Sequence, residues 1–228
     1  MTAITVLHLY PRELGINGDV GNVLALRRRA EWCGAEVRVV DHAPGDALPE
    51  TVHLVHIGSG PLAAQREVLP DVRRIAPRLR EWAAGGVPVL AIAAGWQLLG
   101  TSLDGDEMAG VLPTRATLGE RVVGEVAGES ALGEVAGFVN HAATTVLDAG
   151  EPLVRFPGGS TEGVVVGDAI GTNLHGPFLP MNPGWADRLL EAAATRAGVA
   201  LGAPDERTAR ADEHARRSRD AIRHRLGR

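Results

Sequence analysis

The chain has 228 residues, of which 45% are hydrophobic and 22% charged, a balance typical of a globular protein with a sizeable core. Its net charge of −5 excludes a general nucleic-acid binder, because no excess of cations can neutralise phosphates. The single cysteine, Cys33, excludes an internal disulfide and any metal site built from several cysteines.

The N-terminal segment lacks the pattern of a secretory signal peptide. No apolar run reaches the roughly 20 residues that a membrane-spanning helix needs. We therefore expect a cytoplasmic protein with no membrane span and no nucleic-acid partner.

The first part of the chain predicts alternating strands and helices. In chain order these are a strand at 4–9, a helix from the 17–22 turn to about residue 33, strands at 36–40 and 52–57, a helix at about 62–84 and a strand at 87–92. This order predicts an α/β fold with a parallel sheet, whose ligand site lies beyond the carboxyl ends of the strands. Loops 16–22, 58–62 and 92–96 are expected to meet there.

Beyond residue 100, short apolar runs separated by glycines replace the helical pattern. They predict antiparallel strands, added to the sheet or beside it, at 111–112, 121–126, 135–139, 163–167 and 169–174. A helix is predicted at about 185–197. The Arg-rich stretch 204–228 predicts a solvated helix or a partly disordered extension, with docking of an acidic partner as the alternative. We expect one domain over 1–200 and a charged tail over 201–228.

The stretch 87–100 is the most informative one in the chain. A buried strand ends in a sharp turn of small residues, and Trp96, Leu98 and Leu99 then begin a helical apolar face. Several α/β enzymes carry a nucleophile on such a turn, where the helix N-terminus supplies N–H donors. The residue at the tip of this turn is Ala93, which has no nucleophilic atom.

Among titratable groups, His175 is the leading candidate base, because it follows a predicted strand at a Gly-Pro break. His141 is a second candidate, and a structural role remains open for both. The glycines of 58–60 either supply N–H donors for an oxyanion hole or only permit a tight turn. Cys33, late in the first predicted helix, is expected to be structural. The spacing of His, Cys and acidic residues predicts no metal site.

Six segments of the chain form a recognisable series. They are 8–11 (HLYP), 18–22 (GDVGN), 91–100 (AIAAGWQLLG), 137–141 (GFVNH), 161–163 (TEG) and 171–183 (GTNLHGPFLPMNP). In this order they resemble the class I glutamine amidotransferases of the cobyric acid synthase type, especially the glutamine amidotransferase subunits of lipid II isoglutaminyl synthases. The resemblance extends over roughly residues 4–195. It implies a flavodoxin-like class I glutamine amidotransferase fold, with a mostly parallel central sheet and added antiparallel strands.

The resemblance also implies a chemistry and a partner. In that family a cysteine at the elbow attacks the side-chain amide of glutamine, a histidine acts as base, and ammonia is released. The ammonia passes to an ATP-dependent Mur-type ligase, which amidates a peptidoglycan precursor, and no cofactor is implied. His175 matches the catalytic histidine, and Asp19, in the loop facing the elbow, is a candidate orienting acid. The implied substrate-binding positions are Gly60, Ala94, Gln97 and Arg121.

Several positions depart from the family pattern. Ala93 stands where the family has cysteine, and Ala94 replaces a usual glycine. The loop after Gly60 lacks the usual Gln-Asp pair, while Val20 and Val139 occupy positions that are usually polar. Without a thiolate no side chain can form the thioester intermediate.

Two origins of Ala93 remain open. An engineered Cys-to-Ala exchange explains this position alone, whereas the several departures together favour a natural chain that has lost glutaminase chemistry. The function is then either an amidotransferase subunit that is active only with cysteine at position 93, or a non-catalytic scaffold or small-molecule binding module on the same fold. A weaker alternative is an unrelated hydrolase that uses His175 with a water molecule.

Overall fold

The protein is described by a computed structural model, which covers residues 3–175 and 177–227. Its helices are α1 (Val20–Trp32), α2 (Leu62–Ala84), α3 (Ala94–Leu99), α4 (Phe178–Met181), α5 (Pro183–Ala197) and α6 (Glu206–Arg225). Its strands are β1 (Ile4–Leu9), β2 (Val37–His42), β3 (Leu54–Ile57), β4 (Val89–Ile92), β5 (Ser102–Leu103), β6 (Asp106–Glu107), β7 (Thr114–Ser130), β8 (Gly133–Leu147), β9 (Val154–Arg155), β10 (Thr161–Glu162), β11 (Val164–Val166), β12 (Ala169–Thr172) and β13 (Leu174–His175).

The central sheet has the strand order β11-β12-β4-β3-β1-β2. Neighbours pair in parallel except β11, which is antiparallel to β12, so the predicted α/β fold with a mostly parallel sheet is confirmed. The prediction of antiparallel strands is confirmed for the β11–β12 pair, whereas on its other side β12 runs parallel to β4, which the prediction did not include. The tight β11–β12 hairpin reverses the chain, and β12 therefore takes the direction of β4.

Helices cover both faces of this sheet. The apolar sides of α2 and α3 pack in one core cluster, through residues such as Val72, Leu79 and Trp96. Those of α1 and α5 pack in a second cluster, through residues such as Leu26 and Trp185. The inner strands β1, β3, β4 and β12 are therefore buried along their whole length, whereas the edge strands β2 and β11 are partly exposed.

The second sheet is built on the long β7–β8 hairpin. The predicted strands 121–126 and 135–139 are parts of this hairpin, whereas 111–112 lie in the turn before β7, so that strand prediction is wrong. Three of the glycines that suggested interruptions, Gly124, Gly128 and Gly137, are paired residues of this hairpin. A register shift between Leu118 and Val122 marks a bulge in β7.

The chain crosses from one sheet to the other at Asn173. β12 belongs to the central sheet, and β13 pairs with β8 in the second sheet. The predicted strand 169–174 is thus two strands with a break between them. This crossover brings His175 to the carboxyl-end edge of the central sheet.

The tail forms helix α6, which is capped by the Asp205 carboxylate and docks on the rest of the molecule. It buries Thr208, Ala215 and Ile222, and Arg223 and Arg225 form ion pairs with Glu134 on β8 and Glu125 on β7, respectively. The division into 1–200 and 201–228 remains a prediction. Within residues 3–175 and 177–227, no helix is long and apolar enough to cross a membrane.

Candidate functional site

The turn between β4 and α3 is a strained elbow. Ala93 has φ 44° and ψ −102°, a backbone conformation that costs a non-glycine residue about 1–3 kcal/mol. Its N–H donates to the Thr172 carbonyl at 2.7 Å, and its own carbonyl accepts from the Gln97 N–H at 2.9 Å. The surrounding bonds hold Ala93 at the tip of the turn, which is the geometry that presents a side chain above a sheet edge.

The elbow is packed directly against the loop after β3. The Gly95 N–H donates to the Gly58 carbonyl at 3.0 Å. A Cβ at Gly95 would lie 2.7 Å from that carbonyl oxygen, closer than real Cβ contacts allow. The absence of a side chain at Gly95 therefore lets the first turn of α3 approach the loop 58–60.

Asp19 and His175 are brought together although they lie far apart in sequence. The His175 Nδ1 is 3.4 Å from the Asp19 Oδ1, and both side chains are fully buried. The other carboxylate oxygen of Asp19 accepts the Ser59 N–H at 2.8 Å. The Nε2 of His175 is buried and has no hydrogen-bond partner among the described residues. This is the arrangement expected of a base and its orienting acid, beside an elbow that carries an alanine.

Glu162 is an acidic residue that sequence reasoning did not single out. Its carboxylate accepts the Thr172 hydroxyl at 2.7 Å and the Asn173 N–H at 2.6 Å. Burial raises the pKa of Glu162 to about 7, against the opposing effect of these hydrogen bonds and of nearby His175. In the sequence, only the motif at 161–163 pointed to this residue.

A cavity of about 490 Å³ opens in front of the elbow. Its lining includes Ala93 and the predicted substrate-binding positions, which are Gly60, Ala94, Gln97 and Arg121. Gln65 also lines the cavity. Among the described residues, the side-chain oxygens of Gln65 and Gln97 are buried and have no hydrogen-bond partner. Arg121 extends from the β7–β8 hairpin and donates to the Asn140 side chain at 2.6 Å. The cavity is thus lined by all of the predicted substrate-binding positions, whereas the two glutamine oxygens lie beneath its surface.

The two remaining candidates occupy different places. His141 lines the cavity, its Nδ1 is 2.8 Å from the Ala143 carbonyl oxygen, and burial lowers its pKa. Cys33 follows α1 at the amino-end edge of the sheet, opposite the elbow, and burial raises its pKa. It therefore cannot replace a thiol at position 93. Within the described part of the chain, no group of three His, Cys, Asp or Glu residues could hold a metal ion.

Comparison with solved structures identifies the class of fold. A glutamine amidotransferase crystal structure matches with a TM-score of 0.62 and 21% identity, over 84% of this chain and all of that one. A second, from Thermotoga maritima, matches with a TM-score of 0.56 and 18% identity, over 99% of this chain and 96% of that one. The fold is therefore the flavodoxin-like class I glutamine amidotransferase fold that the sequence predicted.

Sequence comparison then identifies the family. Residues 5–183 match the CobB/CobQ-like glutamine amidotransferase domain, and the chain belongs to this family. The lipid II isoglutaminyl synthase (glutamine-hydrolyzing) subunit GatD of Staphylococcus aureus is 32% identical over 87% of this chain and 88% of its own length. GatD of Streptococcus pneumoniae is 29% identical over 83% and 80%. The cobyric acid synthase of Streptomyces avermitilis is 33% identical over 55% of this chain and 25% of its own length.

Proposed function

We propose that this chain is the amidotransferase-fold subunit of a heteromeric complex that amidates lipid II in the cytoplasm, and that it does not itself hydrolyse glutamine. The proposal is supported by the two GatD relatives, which are named as subunits of glutamine-hydrolyzing lipid II isoglutaminyl synthases. The word subunit implies a second chain, and an ATP-dependent Mur-type ligase is the proposed partner.

The observation that carries the second half of this proposal is Ala93 at the strained elbow. A methyl group has no lone pair, so it cannot attack the amide carbon of glutamine or form a thioester. His175 with Asp19 could accept a proton, but no thiol is present to give one. The fold, the cavity and the base are thus kept while the nucleophile is missing. The codon for residue 93 in the native gene separates an engineered exchange from a natural loss.

The test introduces a thiol at position 93 by the substitution Ala93→Cys. We expect the unaltered chain to release no ammonia from glutamine above background. The Ala93→Cys variant is expected to release it at least about 100-fold faster, because a thiol at the elbow tip completes the nucleophile and base pair. Ammonia and glutamate are measured together, with and without the Mur-type ligase.

Two controls show whether the position of the thiol matters. Ala94→Cys adds a thiol one residue later, inside α3, and is expected to remain inactive. The double variant Ala93→Cys with His175→Ala is expected to lose the restored activity. If Ala93→Cys is inactive in the complex, the site has lost more than its nucleophile, and the proposal of a retained glutaminase pocket is wrong.

The partner is tested separately. The unaltered chain, coexpressed with the Mur-type ligase from the same source, is expected to copurify with it in a stoichiometric complex, and Ala93→Cys should do so equally well. If neither form binds the ligase, the proposed place in lipid II amidation is wrong, whatever the glutaminase assay shows.

A second candidate function is supported by the cavity itself. Gln65 and Gln97 are more than nine-tenths buried, and their side-chain oxygens have no partner among the described residues. The cavity of about 490 Å³ is also lined by Arg121 and Asn140, whose polar side chains could orient a small polar ligand. In this case the unaltered chain would bind glutamine and leave it intact. Calorimetry should detect binding that weakens in Arg121→Ala, whereas absence of binding in the complex would exclude this function.

A further inference from the structure

Glu162 joins two segments that the site needs in a fixed arrangement. It lies at the end of β10, and each of its carboxylate oxygens accepts one short hydrogen bond, from Thr172 and from Asn173. The Thr172 Oγ1 in turn accepts the Leu174 N–H at 3.1 Å. The carboxylate therefore organises three consecutive residues at the crossover between the two sheets.

Residues on both sides of the crossover contribute to the candidate site. Before it, the Thr172 carbonyl accepts the N–H of Ala93 at 2.7 Å and so supports the elbow. After it, His175 lies on β13 with its Nδ1 3.4 Å from Asp19. A shift of the crossover would change the distance between position 93 and the candidate base, because both depend on the same few residues.

The charges around Glu162 come from the elements that surround it. His175 on β13 lowers its pKa, whereas burial raises it to about 7. His141 on β8 and Asp19 at the start of α1 face His175. On β9, uncharged Val154 is paired with Glu162, and the pairing of Arg155 with Thr161 puts that arginine on the other face of the strand.

We propose that Glu162 is a positioning residue for the site: its ionised carboxylate holds the 172–175 crossover so that the elbow and His175 keep their relative places. When it is protonated, one oxygen carries a hydrogen and becomes a donor and a weaker acceptor, so the bond from Thr172 or from Asn173 at that oxygen weakens or reverses. The crossover loosens and the elbow loses support, so Glu162 makes the site sensitive to pH close to neutrality. The inference rests on the proposed function only in treating position 93 and His175 as the reacting site.

The test uses the unaltered chain and needs no activity. The backbone amides of Asn173 and Ala93 are followed by nuclear magnetic resonance from pH 5.5 to 8.5. Both signals are expected to shift with one common midpoint near pH 7, because the Ala93 N–H is bonded to the Thr172 carbonyl. In Glu162→Gln neither signal should show this step, whereas Glu151→Gln, which changes an exposed carboxylate, should keep it. A purely local cap would move Asn173 and leave Ala93 unchanged, and that result would overturn the proposal.

A second variant and a kinetic measurement complete the test. Thr172→Val removes one donor to the carboxylate and keeps the side-chain shape. It should therefore change the pH-dependent shift of the Asn173 and Ala93 amide signals, even if Glu162→Gln folds poorly. In the Ala93→Cys background, Glu162→Gln is expected to lower kcat about 10-fold with KM changed less than twofold, and an unchanged kcat would contradict the positioning role. An inactive Ala93→Cys variant would count against the proposed function, while the resonance measurement would still decide the role of Glu162.

Discussion

At the scale of single residues, the site combines strain with a missing atom. Ala93 keeps a positive φ that a non-glycine residue adopts only when its surroundings impose it. Here those surroundings are the hydrogen bond to Thr172 and the close approach of Gly95 to the loop after β3. The backbone at position 93 thus has the geometry that presents a side chain above the sheet edge, and the side chain present there is a methyl group.

The support of the elbow also depends on a residue with no side chain. A Cβ at Gly171 on β12 would lie 2.4 Å from the Trp96 ring on α3. Gly171→Ala is expected to lower the free energy of unfolding by about 1–3 kcal/mol, because the buried ring must move. Urea unfolding measures this as a lower midpoint with an unchanged slope. Gly124→Ala, where the added Cβ meets open space, is the control, and an equal loss in both variants would contradict the packing argument.

At the scale of elements, one arginine joins three helices. Arg29 on α1 is buried and donates to Asp187 on α5 and to Asp212 on α6, at 2.6 and 2.7 Å. α6 also reaches the β7–β8 hairpin, which carries Arg121 to the cavity. The helix in the predicted tail is thus tied both to the core and to the element that lines the site.

Removal of this arginine should release α6 first. Arg29→Met is expected to destabilise the protein by about 1–3 kcal/mol, less than for a fully enclosed pair, because both aspartates are partly exposed and stay hydrated. Hydrogen exchange should rise in α6 before it rises in the central sheet. Arg217→Met, which removes an exposed pair within α6, should change little. If Arg29→Met leaves the amides of α6 as well protected from hydrogen exchange as those of the central sheet, other contacts hold α6 in place.

At the scale of the whole molecule, the central sheet buries histidines that folding keeps neutral. His8 and His56 are paired across β1 and β3, and their rings stack with centroids 5.2 Å apart. Burial, and then the neighbouring His56, lowers the pKa of His8 from 6.5 to about 3. Asp41 lies 3.4 Å from the His8 ring but is largely exposed, so its charge is screened and burial dominates.

This arrangement sets the sign of the pH dependence. The folded pKa lies below the unfolded one, so the stabilisation is present above pH 6.5 and is lost as the pH falls towards 3. We expect His8 to account for a loss on the order of 3 kcal/mol between pH 7 and pH 4. Urea unfolding between pH 7 and pH 4 should show that the free energy of unfolding depends less steeply on pH in His8→Phe, which keeps a ring but cannot titrate. His214→Gln, at an exposed position on α6, should keep the full slope, and equal slopes in all three proteins would contradict this account.

The sequence by itself determined the features that local pattern can specify. The apolar spacing of 62–84 predicted α2 with its observed bounds, and 4–9 predicted β1, because periodicity depends on near neighbours. The residue at the elbow tip, and hence the absence of a thiol, follows from one position in the chain. The ordered motifs were specific enough to predict the family and the fold.

The topology predicted that three loops meet at one edge of the sheet, but only the tertiary structure decided which side chains of those loops are in contact. Asp19 and His175 are 156 positions apart, and nothing in the spacing between them reports a 3.4 Å contact. The same holds for the crossover at Asn173 and for its bonds to Glu162, which join two sheets. Long-range pairing of this kind depends on the packing of the whole chain, and local pattern cannot encode it. The alanine at the elbow tip and the meeting of the three loops could therefore be predicted from the sequence, whereas the contact of His175 with Asp19 at 3.4 Å and the bonds of Glu162 could not.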